Sequence, residues 1–98
     1  MDFKISLSPS ACEDLRSIIS YIASDNPSAA EKFGRRILDE VEITAFMPEV
    51  GRIVPEFGKA DLRELIARPY RVVYRIKKDL GLIEVVRVWH AARGIPEV

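Results

Sequence analysis

Tyr70-Arg71-Val72-Val73-Tyr74-Arg75-Ile76-Lys77-Lys78-Asp79-Leu80-Gly81-Leu82-Ile83-Glu84-Val85-Val86-Arg87-Val88-Trp89-His90-Ala91-Ala92-Arg93 is the stretch whose reading decides the fold. Two runs rich in β-branched and aromatic residues, Tyr70–Lys77 and Leu82–His90, flank the break Lys77-Lys78-Asp79-Leu80-Gly81, the pattern of a β-hairpin. Side chains alternate between the two faces of a strand. Tyr70, Val72, Tyr74 and Ile76 therefore share one face, and Arg71, Val73, Arg75 and Lys77 the other. The hairpin is expected to bury an apolar side and present a cationic one.

Working back from the hairpin, Arg68-Pro69 marks a turn, because the residue before proline avoids the helical region. Leu62–Ala67 reads as a short strand ahead of it, and Glu49–Ala60, with Gly51, Pro55 and Gly58, as a loop. Upstream lie two helical patterns. Leu15, Ile18, Ile19 and Ile22 form one apolar stripe, with Ser10 and Glu13 as an expected capping box. Asn26 is a suitable cap and Pro27 a suitable first residue for a second helix running to about Phe46, with Phe33, Ile37, Val41 and Ala45 inward and Pro48 stopping it. Phe3, Ile5 and Leu7 alternate with polar residues and suggest a first strand, placed beside the last. The fold expected is α+β in two layers, β-α-α-β-β-β, with a helical hairpin on a mainly antiparallel four-stranded sheet, and residues 1–98 as a single domain.

The 98 residues are 48% hydrophobic and 31% charged, a globular composition. The charges sum to zero but are unevenly spread. Residues 1–50 carry five Lys/Arg against nine Asp/Glu, and residues 51–98 ten against six. A pI near 6.6 argues against broad nucleic-acid affinity while leaving room for a local basic patch. No run approaches a membrane span and no signal peptide is evident, and Cys12, the one cysteine, is expected to be a small buried helix residue. The cytoplasm is the expected setting. No metal-ligand spacing, glycine-rich phosphate loop or serine-nucleophile motif is present, so no cofactor is expected.

Leu7-Ser8-Pro9-Ser10-Ala11 at the helix start, Met47-Pro48-Glu49-Val50-Gly51-Arg52 in the middle, Pro69-Tyr70-Arg71-Val72-Val73-Tyr74-Arg75-Ile76 and Val85-Val86-Arg87-Val88-Trp89-His90-Ala91-Ala92-Arg93 together resemble the RelE/ParE superfamily of bacterial type II toxins along essentially the whole chain. The resemblance implies the same β-α-α-β-β-β arrangement. It also implies a toxin neutralised by a cognate antitoxin, of ribbon-helix-helix type with a flexible C-terminal segment. Two activities follow from it: ParE-like poisoning of DNA gyrase, without hydrolysis, or RelE-like cleavage of messenger RNA on the ribosome.

Attack by a ribose 2′-OH needs a base, cations for the phosphorane charge and an acid for the leaving oxygen. In the nuclease reading these would be Arg71, His90 and Arg93, with Arg71 matching the phosphate-contacting arginine of RelE-like strands. Against it, Ala91 and Ala92 follow His90 where such nucleases carry basic residues, the tail Gly94–Val98 has no aromatic residue, and the loop supplies only Lys59. The ParE-like reading is favoured, with no catalytic residue and with Arg71, Arg75, Arg87, Trp89, His90 and Arg93 as the surface for target or antitoxin. Arg71 and Arg75 have a plain structural alternative: pairing with Glu64 or Glu84 inside the chain.

Overall fold

The computed structural model describes residues 2–98. Strand β1 (Lys4–Leu7) leads into helix α1 (Pro9–Asp25), and helix α2 (Pro27–Phe46) follows almost at once. Then come β2 (Arg52–Ile53), β3 (Leu62–Ala67), β4 (Tyr70–Lys77) and β5 (Leu82–His90). The sheet order is β1-β5-β4-β3-β2, with β1 parallel to β5 and the other neighbours antiparallel. The expected class holds, and the first strand does lie beside the last. The sheet has five strands rather than four, because Arg52 and Ile53 pair with Glu64 and Arg63. A two-residue strand inside a Pro/Gly-punctuated loop leaves no periodic signal to read.

Both helices are set by their caps. The Ser8 hydroxyl accepts from the Ala11 N–H at 3.0 Å, so α1 begins one residue before the expected cap. The reason is Pro9, whose missing N–H and fixed φ suit the first helical position and push the capping role back to Ser8. Ser10 and Glu13 form no capping box; Glu13 pairs with Arg16 instead. Asn26 caps α2 as expected, accepting from the Ala29 N–H at 3.1 Å.

The helical hairpin covers one sheet face. Ala11, Ile37 and Val41 pack there with Val72, Tyr74, Ile76, Ile83, Val85 and Val88, and Leu15, Ile18 and Phe33 close the margin. Each such aliphatic side chain stabilises the fold by about 1.5–3 kcal/mol when fully buried. Cys12 is exposed, not buried, since Ala11 takes the inward position. The opposite sheet face carries a smaller apolar cluster of Val54, Leu62, Val73 and Val86. The β4–β5 register slips between Val73 and Tyr74, where Val86 is the extra residue of a bulge. Ile83 and Val85 face the helices before the bulge, and Val88 and His90 after it. Arg87 and Trp89 are thereby placed on the same face as Arg71.

The chain past His90 folds back over that second face. Its carbonyl oxygens at Gly94 and Glu97 accept from Trp89 and from Arg87, at 3.2 and 3.1 Å, and Pro96 is fully buried. No helix among the described residues is long and apolar enough to cross a membrane.

Candidate functional site

Arg71 is the centre of the second face and does not project into solvent. It is 7% exposed, and every guanidinium nitrogen is engaged. Its Nε donates to Glu64 Oε1 at 2.6 Å, its Nη2 to Glu56 Oε1 at 2.7 Å, and its Nη1 to Glu56 Oε2 at 2.9 Å and the Gly94 carbonyl at 3.3 Å. Glu64 is itself fully buried, and its other oxygen accepts from Arg52 Nε at 2.6 Å. The result is a chain of alternating charges, Arg52–Glu64–Arg71–Glu56, in which each buried charge has its opposite. The Arg71 hydrogen bonds hold the Glu56 carboxyl down at about 2, and the same bonds raise the Arg71 pKa further.

The expectation of an open arginine-lined face is corrected for Arg71. Alternation placed it on the right face, but that face is covered by the loop bearing Glu56 and by the tail bearing Gly94. Trp89, expected among the surface residues, is likewise buried at 2% exposure, with the Arg93 guanidinium stacked on its ring at 3.8 Å. Arg75 stands apart from this group, loosely paired with Asp61 at 3.8 Å. Glu84 pairs with Lys77 at 3.2 Å rather than with either arginine.

Arg87 is held from the helical side. Asp14 of α1 accepts from its Nε and Nη2 at 2.8 and 2.9 Å, and also from the Val88 N–H at 2.9 Å. β1 ends opposite Val85, so the outer edge of β5 beyond that point has no strand beside it. Ser8 and Asp14 satisfy its backbone groups instead. The Asp14 hydrogen bonds raise the pKa of Arg87.

His90 stands at the end of β5 with its ring edge on Tyr70 at 5.3 Å, and Tyr70 in turn meets Phe33 at the same distance. His90 Nδ1 accepts from the Ala92 N–H at 3.0 Å and so caps the turn that starts the tail. In the neutral ring this puts the proton on Nε2, making that nitrogen a donor. Arg71, Arg87, Trp89, His90 and Arg93 thus gather at one end of the sheet, but as a cross-braced set. Arg71 and Arg87 are tied to carboxylates and His90 Nδ1 to the Ala92 N–H, while Arg93 stacks on Trp89. Sequence reasoning missed Glu56 and Asp14. Asp14 flanks the apolar stripe of α1, a position from which an acid can reach a strand edge; Glu56 sits in a loop and gave no signal.

A helical hairpin packed on this five-stranded mixed sheet defines the class as the RelE/ParE toxin fold. Residues 5–95 match the family model described as the ParE toxin of the type II toxin–antitoxin system, parDE. The chain is 37% identical over 83 residues to "Toxin RelE2" of Caulobacter vibrioides, covering 85% of this chain and 89% of that protein. It is also 37% identical over 90 residues to "Putative toxin Y4kP" of Sinorhizobium fredii, covering 90% and 88%. Among solved structures, the chromosomal ParDE toxin–antitoxin system of P. aeruginosa superposes with a TM-score of 0.72 at 21% identity, covering 90% of this chain and 95% of that one. The RelBE2 complex of Mycobacterium tuberculosis gives 0.59 at 17%, covering 92% and 99%. The chain belongs to the ParE toxin family of type II toxin–antitoxin systems.

Proposed function

We propose that this chain is a non-hydrolytic toxin that inhibits DNA gyrase and is held inactive by a cognate antitoxin. The observation carrying this reading is the commitment of Arg71: four of its five N–H groups already donate to Glu64, Glu56 and Gly94, and its charge is matched by two carboxylates, which leaves it poorly placed to bind a scissile phosphate. His90 adds to it, because its Nδ1 is occupied by the Ala92 N–H. The ParE family match supports the gyrase side of the superfamily. The family's toxin–antitoxin pairing supports an antitoxin partner, for which a ribbon-helix-helix protein with a flexible C-terminal segment is the fitting form. The cytoplasm, where both target and antitoxin would be met, is the corresponding location.

Purified protein added to a gyrase supercoiling assay should block supercoiling or accumulate cleaved DNA. Primer extension on messenger RNA from induced cells should show no codon-phased cuts. Supercoiling that proceeds normally under molar excess of the protein, or phased cuts that disappear in His90→Ala, would replace this reading with ribosome-dependent RNA cleavage.

A further inference from the structure

The end of the sheet bearing the β3–β4 turn and the end of β5 is hollowed by two clefts, of about 670 and 320 Å³, which share Tyr70 and His90 as walls. Arg52, Arg68 and Arg71 line the larger cleft; Ser17, Tyr21 and Arg93 line the smaller. The two clefts adjoin at Tyr70 and His90, and we take them as the two halves of a groove across the tip of the molecule.

The groove's charge follows from what is already paired. Its two acids are Glu56 and Asp14. Each is gripped by two nitrogens of one guanidinium, Glu56 by Arg71 and Asp14 by Arg87. Neither acid is left to repel an anion. Arg68 and Arg93 are exposed, and no carboxylate among the described residues forms an ion pair with either. Arg93 is fixed in plane by stacking on Trp89, which leaves its N–H edges free to donate. Neutral His90 presents Nε2–H, and Ser17 adds a hydroxyl. The uncommitted polar groups are therefore mainly donors, the chemistry of an anion site.

Each cleft has its own free guanidinium, so the matching ligand carries negative charges at intervals along its length. The smaller cleft also holds Tyr21, 78% exposed, a large aromatic ring with nothing over most of its surface. Cations spaced along a groove with an open aromatic face suit a nucleotide strand better than an acidic peptide, whose side chains have no flat face to stack. We infer that this groove binds a single-stranded phosphodiester chain, with phosphates on Arg68 and Arg93 and a base on Tyr21. The inference deepens the gyrase reading and rests on it only for the source of the strand, which would be DNA opened by the enzyme. Zero net charge keeps the binding local and salt-sensitive.

The test is fluorescence anisotropy of the whole protein, without gyrase, against a labelled oligodeoxythymidine of about 12 nucleotides, an oligouridine of equal length and a polyglutamate peptide. Oligonucleotide should bind at low salt, and log K should fall with log salt by about 0.7 per phosphate engaged. Arg68→Ala with Arg93→Ala should weaken binding about tenfold or more and flatten that slope by about 1.4. Tyr21→Ala should weaken it about fivefold or more with the slope unchanged. Lys59→Ala with Lys78→Ala, at the far end of the sheet, should change nothing, and circular dichroism should show every variant folded. No binding of either strand at low salt, or equal binding by the double-arginine variant, overturns the inference. So does polyglutamate binding more tightly through the same arginines. Binding of RNA but not DNA keeps the groove and overturns the gyrase reading instead. Gyrase inhibition without oligonucleotide binding does the reverse.

Discussion

On the helix side of the sheet, Val72, Val85 and Val88 meet Ile37 and Val41. On the other side Glu64 and Arg71 lie about as deep, beneath a loop and a tail. The first face is closed by surface area, and any one residue can be trimmed at a graded cost. The second is closed by matched charges, so its stability depends on the set being complete. A buried ion pair adds little over an apolar pair of similar volume, but half of one is expensive. The brace therefore serves best as a device that fixes the tail and the Glu56 loop in one place.

Breaking the brace should have the largest effect. Arg71→Ala leaves Glu64, whose side chain is fully buried, without its Arg71 partner, and should cost about 3–5 kcal/mol in urea unfolding. Ile37→Ala, on the apolar face, should cost about 3 kcal/mol, the usual loss for a truncated core aliphatic. Acid should separate the two faces without mutation. The folded Glu56 carboxyl is depressed from 4.5 to about 2, so its contribution is present above pH 4.5 and is lost as the pH falls through that interval. Tail and loop amides should gain hydrogen-exchange rate over that interval before those of Val72 and Val88 do. Asn26→Ala, which removes only the α2 cap, should cost about 1 kcal/mol. Arg35→Ala, breaking an exposed pair with Glu31, should cost about 0.5 kcal/mol or less.

What could be read from the sequence follows the same division. β3, β4 and β5 begin and end where the apolar runs do, and α2 spans Pro27–Phe46 because its cap, first proline and stop are all local. The place of β1 beside β5 was legible from the need to cross the helical layer, while its parallel direction is seen only in the structure. The ion chain was not. Alternation assigns Arg71 to a face but says nothing of what lies over it, and the cover comes from Glu56 and Gly94, 15 and 23 positions away. The bulge at Val86 was equally hidden, because an extra residue in an all-apolar run leaves the pattern unbroken. Leu38, next to Ile37 on α2, is 55% exposed, since the inward stripe of that helix is narrower than its apolar content suggests.

The side-by-side seating of the first and last strands bears on how the molecule is made. Ser8 hydrogen-bonds across 78 positions to Val86, and β1 has no sheet neighbour until β5 exists. A growing polypeptide can wind its two helices early, since their contacts are local, yet the sheet they rest on stays unfinished until the closing segment has emerged from the ribosome. Synthesis therefore carries a built-in delay, during which a partially made chain holds the helices but not the finished tip, which needs His90 and Arg93 as well as Arg68.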